Sequence, residues 1–372
     1  MNLSYWEYKT WLSNVDFTIV GSGIVGLSCA LRLREKHPGS KIVVLEKGIL
    51  PQGASTKNAG FACFGSISEI LSDLHLQTQG PVFDLIRQRW EGLEYLRHLL
   101  GDRKIDFQRH GGHEIFLSHQ LESFGRCIDK LDGINEWLSP IFGSEPFKLS
   151  RNNFGFHKVL KNLVTHRFEG QLDTGKMMLA LLALAGKKKI IILNSITVKD
   201  FSERNNYVDI DTDHFTFKAG RLFVASNGFA HQLIKANVKP ARAQVLITKP
   251  IKDLHIKGTF HLEEGYYYFR NIHNRILLGG GRNLDFKGEE TSTFGNTTLI
   301  QNRLETLLSE VILPGTPVEV ERRWSGIMGI GQKKSPIVKQ VSNRVFCGVR
   351  LGGMGVAIGS SVGRDLADIP LE

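Results

Sequence analysis

Three glycines and one acid carry the clearest chemistry in this chain. Gly21, Gly23 and Gly26 stand at the spacing G-x-G-x-x-G, and Glu46 follows twenty residues after the last of them. At this spacing Gly21 allows a tight turn, Gly23 lets a pyrophosphate approach the backbone, and Gly26 lets a helix lie close on a sheet. Ile24 and Val25 fall in the first turn of that helix, where free amides and partial positive charge attract phosphate oxygens. Glu46 is placed to accept hydrogen bonds from a ribose diol, and its charge repels a 2′-phosphate. Lys47 follows it. Ser55, Thr56, Asn58, Ala59, Gly60 and Phe61 then form or close a second small-residue run rich in backbone donors. This constellation predicts a dinucleotide site.

The elements that must position these residues are legible around them. Residues 17–20 are apolar and β-branched, as a buried parallel strand requires. Ile24, Leu27, Cys29, Ala30, Leu31 and Leu33 recur at helical period, and residues 41–45 read as a second strand. Helices are expected over residues 71–101 and 121–142, with short strand signals between them at 105–117. His110 and His113 flank Gly111 and Gly112 there. They lack carboxylate or cysteine companions in sequence, so they read as ordinary surface or hairpin histidines and no metal is expected. A helix over 174–185, a strand over 190–193 and a hairpin over 197–218 precede the strand 221–225. Strands follow at 244–248, 266–270 and 276–281, then a helix at 292–313 and a strand at 319–327. Strand alternation places Tyr266, Tyr268 and Arg270 on one face and Tyr267 and Phe269 on the other. Residues 345–349 form a last strand. It runs through Gly348 and Arg350 into a second glycine-rich turn, Leu351, Gly352, Gly353, Met354 and Gly355, before a helix of small residues.

At 372 residues and 41% hydrophobic, the chain can bury a large core and is expected to make two domains. Its net charge of +10 is spread along the sequence, with the densest run, Lys187 to Lys189, at an expected helix end. Solubility and attraction of anionic substrates account for that charge better than a nucleic-acid partner. The four cysteines are scattered without ligand-like spacing, which suits reduced thiols. No basic segment followed by an apolar one opens the sequence, and the apolar stretch 177–185 is too short to cross a bilayer. A cytoplasmic location and no membrane span are therefore expected.

The motif after Glu46 has the form G-A-S-x-x-N-x-G, and with the strand, glycine triplet and acid before it the chain resembles the FAD-dependent amino acid oxidase family. That family includes D-amino acid oxidase, glycine oxidase, sarcosine oxidase and γ-glutamylputrescine oxidase. The resemblance covers nearly the whole chain and implies an α/β (α+β overall) fold. Its parts are a Rossmann-like FAD-binding domain of glutathione-reductase type and an antiparallel-sheet substrate domain. The FAD-binding domain is expected in residues 1–80, 150–235 and 325–372, and the substrate domain in 81–149 and 236–324. By the same resemblance Val198 contacts adenine through its backbone, and Ser226, Asn227 and Gly228 form a cofactor-side turn. The turn from Gly348 to Gly355 lies against the flavin ring, where a helix N-terminus stabilises the negative charge of the reduced state. Covalent relatives use a cysteine near the W-x-G element. Residues 322–328 hold none, so FAD is expected to be non-covalent.

The implied activity is oxidation of an amino acid or related amine by hydride transfer to flavin N5, giving an imine that hydrolyses. Dioxygen or another acceptor then takes the electrons. Such a site needs a handle for the substrate carboxylate, and an arginine grips one with two parallel hydrogen bonds. Arg270, Arg282 and Arg350 are the candidates, with a hydroxyl from Tyr266 or Tyr268. Spacing does not choose among them, nor between oxidase and dehydrogenase, and oligomeric state is not legible. Two other readings stand beside this one: a flavin-dependent 2-hydroxy acid dehydrogenase and an RNA-associated, tRNA-modifying flavoprotein.

Overall fold

Strand Ile42–Leu45 is buried along its whole length, and Val15–Val20 beside it exposes only Asp16. Such continuous burial marks the centre of a sheet covered on both faces. A computed structural model describes residues 2–371 and shows that sheet. Its order is Ile337–Ser342, Val345–Val349, Thr216–Val224, Val15–Val20, Ile42–Leu45, Ile191–Leu193. The last five strands run parallel to one another. A hairpin, Val198–Glu203 with Val208–Thr212, is added antiparallel to the early part of Thr216–Val224. The hairpin and the strand expected after it thus share one continuous strand.

Helix Ile24–Lys36 is nearly enclosed, from Ile24 to Leu33, because it lies between this sheet and helix Gly355–Asp368. Small residues set that approach. A Cβ at Gly363 would press on the Val25 carbonyl and Ser28, and one at Gly359 on Ile24. On its other side the late helix meets Gln79–Leu100. There a Cβ at Gly92 would collide with the Ala357 carbonyl, and Ser360 Oγ donates to Gly92 O at 2.5 Å. The long helix stops at Gly101, whose φ of +85° ends the helical path.

The second sheet has the order Val320–Ile330, Lys239–Thr248, Arg275–Gly280, Tyr267–Ile272, Thr259–Leu262, Gly112–Glu114, Asn162–His166, Phe147–Arg151. All its pairs are antiparallel except Gly112–Glu114 with Thr259–Leu262. One face packs on helix Thr298–Leu307 through Tyr267, Phe269 and Leu278. On the opposite face Tyr268 joins Val245, Leu277 and Phe61. The alternation of the tyrosine strand therefore has the expected phase. Because Phe147–Arg151, Asn162–His166 and all of Val320–Ile330 pair here, the sheet boundaries fall later than the division expected at residues 150 and 325.

Helix Thr298–Leu307 also begins later than expected. The run Thr291 to Thr297 prefers side-chain bonds: Thr293 N–H donates to Thr291 Oγ1 at 3.1 Å, and Thr297 N–H to Gln244 Oε1 at 2.9 Å. Among the described residues no helix is long and apolar enough to cross a membrane.

Gly26 tests the packing of the first turn, since a Cβ there would run into the Gly21 carbonyl oxygen. Gly26→Ala should lose about 3 kcal/mol of unfolding free energy in denaturant titration. Gly39→Ala, at an exposed turn where a Cβ meets nothing within 4 Å, should change it by less than about 0.5 kcal/mol.

Candidate active site

One cavity of about 790 Å³ runs between the two sheets and is lined at one end by Gly21, Gly23, Ile24 and Val25. Gly21 takes a φ of +104°, donates its N–H to Leu45 O at 2.8 Å, and would strike Ala225 O with any side chain. Glu46, buried at the tip of its strand, gathers the loops around that turn. Its Oε2 accepts from the Ser22 amide at 3.1 Å and hydroxyl at 2.7 Å, and Oε1 from the amides of Gly48 at 3.0 Å and Gln52 at 3.2 Å. The acid expected to receive a ribose thus also fixes the shape of its own pocket. Ser55 Oγ accepts from the Ile24 amide at 3.0 Å, so the second small-residue run docks on the helix start. Lys47, Ser55, Asn58, Ala59 and Phe61 line the cavity.

Several expected residues stand behind the wall. Thr56 Oγ1 donates to Pro51 O at 2.6 Å and shapes the turn. Gly60, at a φ of +73°, is pressed against Leu172 O. Gly26, Gly228 and Gly348 are close-packing positions, facing Gly21 O, Met328 O and Leu366 respectively.

Val198 reaches the cavity with Ile196 and Thr197, and Ser226 and Asn227 border it further along. Asn227 ties two segments together, its Oδ1 accepting from the amides of Arg350 at 3.0 Å and Leu351 at 3.3 Å. Leu351, Gly352, Gly353, Met354, Gly355 and Val356 line the same cavity, so the starts of helices Ile24–Lys36 and Gly355–Asp368 both open into it. Neither N-cap residue, Gly23 or Met354, supplies a side-chain cap of its own. The Ser226 hydroxyl on this wall is buried without a hydrogen-bond partner. Two helix starts opening into one cavity, an orphaned hydroxyl and a glycine cradle that rejects Cβ atoms fit a dinucleotide such as FAD.

The arginine candidates separate by position. Arg350 does not line the cavity. Its guanidinium donates from Nε to Ser335 O at 2.9 Å and from Nη1 to Asn237 O at 3.2 Å, anchoring the segment 331–336. Arg270 lies buried behind the wall beside Gly60; burial lowers it to about 10, and its Nε has no partner. Arg282 lines the cavity with Tyr266 and Tyr268, and its guanidinium sits 4.8 Å from the Phe286 ring centre. Burial lowers its proton affinity below that of a free arginine. Tyr268 packs edge-on to Phe61 at 5.5 Å, and burial pushes its phenol up to about 12.

Sequence reasoning missed several other groups that line the cavity. Asp73, buried on helix Ile67–Leu76, pairs with Lys334 of the 331–336 segment at 2.7 Å, and both line the cavity. Glu69, Cys63 and His261 do so as well. His261 Nε2 lies 3.4 Å from Glu169 Oε2, an ion pair without hydrogen-bond alignment. Burial pushes Glu169 up, but His261, His166 and the Phe64 amide outweigh it and hold the carboxyl at about 2. Burial works against a charged His261, and its acidic neighbours raise it overall. Cys63, Glu169 and His261 bring ligand-type atoms within 4.8 Å of one another. Burial drives the Cys63 thiol well up, so a neutral thiol beside a compensated ion pair is the state these groups favour. Asp106, Asp173 and His273 also converge, but Asp106 pairs with Lys176 at 3.2 Å and Asp173 caps the Lys176 amide at 2.9 Å. His113 is buried in the sheet against Thr165, not on the surface, and His110 bonds Gln108. No signal short of the fold could have joined residues 63, 169 and 261.

A family profile described as "DAO: FAD dependent oxidoreductase" matches residues 16–369. The chain is 21% identical over 378 residues to the probable oxidoreductase OrdL of Haemophilus influenzae, spanning 96% of this chain and 83% of that protein. Glycine oxidase of Geobacillus kaustophilus has a similar fold, with a TM-score of 0.77 at 18% identity over 95% of this chain and 93% of that one. L-proline dehydrogenase of P. horikoshii is similar at a TM-score of 0.76 and 18% identity, over 95% and 92% of the two chains.

Behind His261, burial raises Glu114 to about 7 even though the Ser68 amide and hydroxyl both donate to it. A carboxyl raised on folding binds more protons in the folded state, so its ionisation removes stability as pH climbs from about 4.5 to 7. Glu114→Gln keeps an acceptor for the Ser68 amide and cannot ionise. It should be more stable than wild type at pH 8 by roughly 2–3 kcal/mol, with little or none of that gain at pH 4.5, measured by urea titration at both values.

Proposed function

This chain belongs to the DAO family of FAD-dependent oxidoreductases, and on that premise we propose that it oxidises the C–N bond of a carboxylate-bearing amine, an amino acid or a close relative. The observation that carries this reading is Arg282, a half-buried guanidinium on the cavity wall that forms no ion pair among the described residues. Arg350 and Arg270, the other candidates, have their guanidinium groups outside that wall.

When bound, FAD supplies the hydride acceptor. Arg282 holds the substrate carboxylate through parallel hydrogen bonds, and the Tyr266 hydroxyl adds a third donor. Tyr268 and Phe61 form an aromatic wall that fixes the substrate's orientation and keeps water from the reacting carbon. The first amides of helix Gly355–Asp368 favour negative charge where they open into the cavity. Gly21 to Val25 hold the diphosphate and Glu46 the ribose, with no covalent bond to the cofactor. All four cysteines are free and buried, which supports work in a reducing compartment such as the cytoplasm.

The test is anaerobic bleaching of the purified yellow protein with a panel of primary and secondary amino acids, their decarboxylated amines and 2-hydroxy acids. Amino acids should bleach it and hydroxy acids should not. Arg282→Leu should raise KM for the best amino acid by the equivalent of about 2–4 kcal/mol and leave KM for its decarboxylated amine unchanged. Equal effects on both substrates would remove Arg282 from the carboxylate site.

A further inference from the structure

The reaction proposed above begins with a difficulty. An amino group at neutral pH is an ammonium ion, and without a lone pair its neighbouring carbon cannot release hydride. The geometry points to His261 as a catalytic residue of this chamber: paired with the Glu169 carboxylate, its imidazole takes the proton from the substrate's ammonium group. The substrate N–H bond breaks, its electron pair stays on nitrogen as the amine lone pair, and the proton joins the imidazole. With Nε2 turned toward Glu169, Nδ1 is the nitrogen left to accept it. This inference rests on the amine reading.

His261 lines the cavity beside Phe61 and Cys63. It stands in strand Thr259–Leu262, in register with Tyr268 on one side and Glu114 on the other. Its ring meets Phe61 edge-on at 5.4 Å, so it adjoins the end of the Asn58–Phe61 run. Cys63, in the same cluster, donates its thiol to Met354 Sδ at 3.4 Å, which brings the Leu351–Gly355 turn alongside. The imidazole is 4% exposed, lines the cavity, and has no hydrogen bond at Nε2. Glu169 is fixed in turn by the Phe64 amide at 2.9 Å.

The other lining groups are poorly matched to the task. Tyr268 and the Cys63 thiol hold their protons too tightly, and burial is the cause in both. Asp73 is committed to Lys334. Glu69 is committed to its own helix start, accepting from the Ser66 amide at 3.0 Å. An imidazole beside a buried carboxylate is a stronger base than a free one and weaker than an amine, which suits proton transfer near neutrality. The charged and titratable groups facing it are Glu169, Glu69 and Glu114, which strengthen it, and His113 and His166, which burial keeps neutral above about 4.

The pH dependence of kcat/KM for the holoenzyme tests this, using an amine that bleaches the flavin. Wild type should show an acid limb set by His261. In His261→Gln that limb should move up to the substrate's own ammonium ionisation. Activity should fall on the order of a hundredfold at pH 7 and recover to within about threefold at pH 10, where the amine arrives already deprotonated. Glu169→Gln should move the limb below that of wild type, because the imidazole loses its carboxylate. FAD content and visible spectrum report whether each variant is folded. An unmoved limb, an equal loss at pH 7 and pH 10, or stoichiometric zinc in the purified protein would each overturn the role of His261. If no amine bleaches even wild type at pH 10, the amine reading itself has failed.

Discussion

Everything at this site depends on how closely two helices far apart in sequence can approach each other. Helix Ile24–Lys36 follows the first strand and helix Gly355–Asp368 the last, and backbone meets backbone where Gly359 and Gly363 face Ile24, Val25 and Ser28. Their positive ends then point into one cavity. A single large side chain along that seam would part them, and an extended cofactor with charge at both its diphosphate and its ring could no longer meet both termini. Gly92 repeats the device against the outer side of the late helix. The pattern is dispersion and close packing placed in the service of electrostatics.

Legibility followed the range of the physics. The first strand, its glycine turn and its helix were readable because each step is local: apolar period, turn chemistry and helix start occur within a few residues. Helix Leu121–Phe142 was readable for the same reason, and so was the phase of the tyrosine strand. Strands Thr259–Leu262, Phe147–Arg151 and Asn162–His166 were not, because each is only four or five residues long, too short for its pattern to stand out. The arginines show the same limit more sharply. Arg350 carries the family-like position in the late turn, yet its side chain is drawn to the carbonyls of Ser335 and Asn237. Spacing places a Cα; it says little about where a long side chain ends.

The cavity is mixed in charge. Arg282 lines it together with Glu69, the Asp73–Lys334 pair and His261, which pairs with Glu169. A zwitterion would find a counter-charge for each of its ends. Two carboxylates near His261 are restrained differently: Glu169 by amides and histidines, Glu114 by Ser68. Close placement of several acids in a low dielectric gives them unequal proton affinities, which is the usual setting for acid–base work.

The late helix has one further consequence, in the order of synthesis. Helix Gly355–Asp368 both lines the cavity and covers the first helix, yet it leaves the ribosome long after that first helix. Until then the strand–turn–helix unit at residues 15–36 stands with its inner face bare, and a nascent chain is open there to chaperone capture. Flavin loading must therefore wait for the late helix, and a chain arrested before residue 355 should emerge colourless.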